Sequence, residues 1–217
     1  MPEDHVHRAP LIDQSEAPRT RTVRARHAAS IIVLRSGQDD PEMLMGMRGA
    51  KHRFMPNRLV FPGGAVDRAD LSAPAGSPPQ PHTMRHLRKV ANERLAHGLA
   101  IAAARELDEE TGLSLGTPPR LDGIEYLCRA VTPPNSPIRF NARFLIVNAD
   151  RLSGTLAGSG ELENLRYYGM HEALALDLAM PTRMVIERLR IWLGLSPEER
   201  IALTHTPILR RHSWQME

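Results

Sequence analysis

Apolar positions along this chain fall into short runs broken by polar clusters, and the runs predict strands before helices. Residues 28–34 (Ala-Ala-Ser-Ile-Ile-Val-Leu) are almost continuously apolar and rich in β-branched side chains, the pattern of a strand buried on both faces. A Ser-Gly-Gln-Asp-Asp-Pro turn at 36–41 separates it from a second strand at 43–47, ending at Arg48, so the two form a hairpin. A basic loop at 51–58 leads into a short strand at 59–61 and then into Pro62-Gly63-Gly64. Further strands are predicted at 124–131 and at 138–148, the latter beginning in strict alternation.

Helical spacing first shows after a Ser-, Pro- and Gly-rich loop at 71–81. Met84, Leu87, Val90, Ala91 and Leu95 recur near the helical period over 82–95, and Gly98 is expected to break or bend the helix. Residues 99–110 then make a second helix, with Gly112 as its stop. A Gly/Ser loop at 153–160 precedes a loop and short strand at 161–168. A short helix opens at Met170 or His171, and a longer one covers 182–193 with Pro181 near its start. Ser196 and Glu199 form a capping-box pattern for a last helix at 195–203. The segment after Thr206 carries no signal. Strands and helices mix without a regular βαβ beat, and no internal repeat is present.

Composition narrows the class. A chain of 217 residues with 41% hydrophobic and 24% charged residues has the length and balance of one well-buried domain, taken as 27–217. The net charge of +3 is dispersed, which does not favour nucleic-acid binding, and no apolar run approaches the ~18 residues of a membrane span. The single cysteine, Cys128, rules out an intrachain disulfide framework and fits a reducing cytosol, so the expected location is cytoplasmic. Residues 1–26 mix arginines with Glu3, Asp4, Asp13 and Glu16, which reads as a flexible tail rather than a targeting peptide.

The chemistry lies in Arg105-Glu106-Leu107-Asp108-Glu109-Glu110-Thr111-Gly112-Leu113. Glu106, Glu109 and Glu110 stand at i, i+3 and i+4, so on a helix all three carboxylates share nearly one face. Like charges so placed repel by a few tenths of a kcal/mol per pair, and a hard divalent cation would offset that. Upstream, Phe61-Pro62-Gly63-Gly64 lets backbone approach a ligand closely. Arg48, Lys51, Arg53 and Arg58 flank this turn, either as an exposed basic loop or as cations for an anionic substrate. Arg139 and Arg143 fall on one face of their strand and either meet solvent or hold phosphates.

Those nine residues resemble the second half of the Nudix box, Gly-x5-Glu-x7-Arg-Glu-U-x-Glu-Glu-x-Gly-U, where U is aliphatic. Every specified position of that half is filled. Counting on from Gly64, the glutamate of the first half is replaced by Asp70. From Asp70 to Arg105 is 35 positions where the box expects 8, an insertion of about 27 residues (35 − 8), spanning about 71–97. The inserted helix covers the substrate cleft or builds a homodimer contact; both stay open.

The resemblance implies an α/β/α sandwich with a mixed sheet, here with a helical insertion inside the box. It also implies Mg²⁺- or Mn²⁺-dependent hydrolysis of a small-molecule nucleoside diphosphate derivative. Glu106, Glu109, Glu110 and the Gly64 carbonyl would be metal ligands, and Arg105 would orient a glutamate. Glu161, from a loop beyond the box, would supply the base or a ligand, with Glu163 as runner-up and an exposed loop residue as the alternative. Arg48, Arg58, Arg139 and Arg143 are the candidate substrate contacts. Phe61-Pro62-Gly63-Gly64 and the split box further resemble the branch containing peroxisomal coenzyme A diphosphatases, although Leu59-Val60 stands where that branch has Gly-Gln. Coenzyme A or an acyl derivative is therefore the expected substrate. ADP-ribose, a nucleotide sugar, or a non-catalytic nucleotide-binding role are the alternatives.

Overall fold

The computed structural model describes residues 23–50 and 54–217. The tail reading for 1–22, and the roles suggested for Lys51 and Arg53, lie outside the described residues.

The predicted strands form, with small shifts. β1 (Arg26–Arg35) and β2 (Glu42–Arg48) pair antiparallel, and β3 (Leu59–Val60) adds to β2. The glycines make more than a turn: β4 (Gly63–Ala65) runs antiparallel beside the start of β1. β5 (Leu113–Ser114) follows the acidic helix; β6 (Glu125–Val131) and β7 (Phe140–Asn148) form the sheet centre, and β7 lies parallel to β1. β8 (Ser153–Gly154) pairs with β5 apart from the main sheet, while β9 (Leu162–Gly169) pairs with β2. Two further strands, β10 (Pro207–Arg210) and β11 (Ser213–Met216), were not foreseen; β10 runs parallel to β6. Among the described residues the main sheet has nine strands in the order β11-β10-β6-β7-β1-β2-β3, with β4 and β9 branching from β1 and β2.

The period of two assigns each core strand to both faces. On one side Ile31, Val33 and Leu145 pack under α1 (Pro81–Leu87) and α2 (Glu93–Thr111). On the other, Ile32, Leu127 and Ile146 meet Val185, Ile186 and Leu189 of α4 (Met180–Leu193), with α3 (Met170–Ala175) beside it. Helices therefore cover both faces of the sheet, as an α/β/α sandwich requires. The capping box at Ser196 and Glu199 is formed at the head of α5 (Pro197–Ala202). Among the described residues no helix is long and apolar enough to cross a membrane.

Gly98 does not interrupt the helix. The chain leaves α1 through a 3-10 turn at Arg88–Val90, and α2 restarts at Asn92, whose Oδ1 accepts from the Leu95 N–H at 2.9 Å. Gly98 sits inside α2 because Leu71 packs against it; a Cβ there would lie 2.7 Å from Leu71 Cδ2.

One row of the sheet has small side chains across four strands. Ala65 of β4 faces Ala28 of β1, which faces Ala142 of β7, then Ala130 of β6 and Leu209 of β10. Ala28, Ala142, Ala130 and Leu209 line a cavity of about 490 Å³, walled by Phe54, Phe140 and Phe144.

Candidate active site

α2 delivers the acidic residues and β4 the glycines. Leu107 and Ala103 are fully buried on the inner side of α2, which turns Glu106 and Glu110 toward β4. Gly112 ends the helix in the left-handed conformation (φ 72°), and its N–H bonds to the Asp108 carbonyl.

The glycines are required by contact. A Cβ on Gly64 would stand 2.4 Å from Glu106 Oε1, so only glycine lets the carboxylate rest on the turn. Gly63, at φ 151°, donates its N–H to Glu110 Oε2 at 2.8 Å in a buried bond. The insertion thus leaves the two halves of the motif side by side.

Arg105 ties the group together with all five of its N–H donors. Nε and Nη2 bond Asp70 Oδ1 and Oδ2, both at 3.0 Å, and Nη2 also bonds the Ala65 carbonyl. Nη1 bonds Glu106 Oε1 at 2.8 Å and Glu109 Oε2 at 2.9 Å. These carboxylates hold the guanidinium firmly charged, its pKa raised still further. Asp70 is 2% exposed and also accepts from the Asp67 N–H, so it anchors Arg105 and caps the turn after β4.

Burial raises Glu106 and pushes Glu110 up to about 7. The Gly63 N–H and the Arg48 charge oppose the rise at Glu110, and Glu106 adds to it. The charge of Glu161 raises both, which brings that loop residue into the electrostatics of the site. Two desolvated carboxylates facing a backbone turn are hard oxygen donors, the chemistry that suits Mg²⁺ or Mn²⁺. Glu109 is more than half exposed and reaches the pair only through Arg105. Among the described residues, no three acidic, His or Cys side chains converge on one point in this arrangement.

Arg48 lines the cleft beside Gly63 and Gly64, and its Nε has no partner among the described residues. The other arginines go elsewhere. Arg58 pairs with Asp177. Since Phe140, Ala142 and Phe144 face the cleft, Arg143 faces the opposite side; it is 1% exposed, and its Nη1 bonds the Asn141 carbonyl and His27. Arg139 bonds the carbonyls of Thr132 and Val23. Arg143 thus lies on the face of the sheet that α1 and α2 cover, and both arginines are engaged by backbone carbonyls rather than lining the apolar cleft. The sequence reading did not single out the cleft walls Phe54, Phe140 and Phe144, nor Thr182, Arg211 and His212 at its rim. The alternation of Phe140, Ala142 and Phe144 was the available signal for the wall.

No family model matches the chain. A protein of Caenorhabditis elegans described as putative nudix hydrolase 7 is 32% identical over 142 residues, 64% of this chain; the match spans 37% of that protein's length. A crystal structure of a Nudix hydrolase from Alicyclobacillus acidocaldarius superposes with a TM-score of 0.62 at 24% identity, covering 83% of this chain and 96% of the other. A MutT Nudix hydrolase from Burkholderia pseudomallei gives a TM-score of 0.51 at 20% identity, covering 77% and 99%. The chain spans about a third of the length of the curated relative it matches, and the likeness to these solved structures shows that its fold is the Nudix fold.

Proposed function

We propose that the chain hydrolyses the diphosphate linkage of nucleoside diphosphate derivatives with Mg²⁺ or Mn²⁺, and that coenzyme A or an acyl-coenzyme A is its substrate. The observation that carries this reading is the seating of Glu106 and Glu110 on Gly63-Gly64 at the mouth of an apolar cleft. A diphosphate lying along the glycines would meet bare backbone, with Arg48 offsetting part of its charge. Glu106 and Glu110 would hold the divalent ion, and Gly64 would add its carbonyl. When bound, such an ion neutralises phosphate charge and lowers the pKa of water. Arg105 fixes Glu106 and is a positioning residue. Glu161 would accept the proton as water oxygen bonds to phosphorus and the bridging P–O bond breaks, leaving two phosphate monoesters. The predominantly apolar cleft suits a long second arm such as pantetheine or an acyl chain.

The test is hydrolysis of coenzyme A, ADP-ribose, NADH and dinucleoside polyphosphates with Mg²⁺ and Mn²⁺, against Glu110→Gln. Coenzyme A or its acyl esters should give the highest kcat/KM. Better turnover of ADP-ribose would move the substrate assignment. No product above the variant across the panel would overturn the enzymatic reading.

A further inference from the structure

The cleft extends well beyond the acidic residues. From β4 through β1, β7 and β6 to β10 is four strand spacings, roughly 19 Å along the sheet. The alanine row forms its floor, and Arg211 and His212 stand at the far rim.

Three observations at that far end point to a negative charge. First, Arg211 and His212 are the two tip residues of the β10–β11 hairpin, both with positive φ (47° and 67°). A two-residue turn of this kind normally uses Asn-Gly, so a bulky arginine and an imidazole are held here against backbone preference. Among the described residues neither side chain has an ion-pair partner. Second, α4 begins on the same cleft, Met180, Pro181 and Thr182 lining it, and no side chain caps its N-terminus. Thr182 is 6% exposed and lines the cleft. Third, Arg211 and His212 line the cavity there, and among the described residues no Asp or Glu lines it.

We infer that the far end of the cleft is a second anion subsite, formed by Arg211, His212 and Thr182 at the start of α4, for a carboxylate or phosphate ending the substrate's apolar arm. The inference rests on the diphosphatase reading and deepens it: among acyl derivatives, the preferred substrate carries charge at both ends of an apolar body. Backbone N–H groups at a helix N-terminus and an arginine supply complementary donors for either anion.

The test measures binding by calorimetry without divalent metal, using the full chain. The probes are ADP esters whose alkyl arm spans the floor and ends in carboxylate, phosphate or methyl. The anionic ends should bind about tenfold more tightly than the methyl end. The margin should vanish in Arg211→Gln and in Thr182→Val. The double variant R211N/H212G, whose turn suits the hairpin, should also lose it while melting about 2–4 °C higher. A preference for one anionic end over the other identifies the group. Equal affinity for all three probes, or no binding, overturns the subsite. Hydrolysis of all three with equal KM would sink the subsite and leave the diphosphatase reading standing; charge-dependent binding without turnover under Mg²⁺ or Mn²⁺ would do the reverse.

Discussion

Arg105 grips Asp70 through two hydrogen bonds of 3.0 Å, although 35 positions of sequence separate them. That contact closes the loop made by the insertion and lets the remaining N–H groups of Arg105 set Glu106 in place. Asp70→Ala should leave a partly buried guanidinium short of two bonds and destabilise the fold by about 2 kcal/mol, read by urea denaturation. Hydrolysis should fall at least tenfold through kcat, and Asp70→Glu should recover part of both.

Gly64→Ala drives a methyl group to 2.4 Å from Glu106 Oε1. Either the strand or the carboxylate must move. Stability should drop by about 1–3 kcal/mol and hydrolysis by about a hundredfold or more, with divalent-ion affinity reduced in the same variant.

Glu110 is a desolvated carboxylate 4% exposed. Glu110→Gln removes that charge, keeps an acceptor for the Gly63 N–H, and should stabilise the metal-free chain by about 1 kcal/mol at pH 8 while abolishing hydrolysis. Added Mg²⁺ or Mn²⁺ should raise the melting temperature of the original chain and not of the variant. A variant melting lower without metal would contradict this account.

His86 gives a pH signature away from the site. It stacks on Tyr126, its Nδ1 shares a hydrogen bond with Thr206, and burial, with Arg85 and His82 adding, pushes it down to about 4 from 6.5. The unfolded chain then takes up a proton between those values that the folded chain refuses. Stability should be full above pH 6.5 and decline as pH falls toward 4, by about 2 kcal/mol. His86→Phe should flatten that slope in pH-dependent denaturation.

Much of this molecule was legible in the sequence. The run at 28–34 marked the central strand, since a strand covered on both faces must be apolar throughout, and the observed β1 exceeds it by only a few residues. The spacing of Glu106 and Glu110 gave the acidic face directly. Strand parity told that Arg139 and Arg143 share a face, but which face depends on the walls Phe140 and Phe144, a packing fact no local pattern encodes. The β10–β11 hairpin escaped because Arg211-His212 is not a recognisable turn pair. The start of α2 was misplaced because Gly98 reads as a breaker, whereas its lack of a side chain answers to Leu71, 27 positions upstream (98 − 71).

The alanine row has a consequence for substrate length. Ala28, Ala142 and Ala130 lie one strand apart, so each position is a graduation of about 4.8 Å measured from the glycines. A leucine at any one of them would act as a stop, and moving it along the row would set the longest arm the cleft admits, as a ruler does.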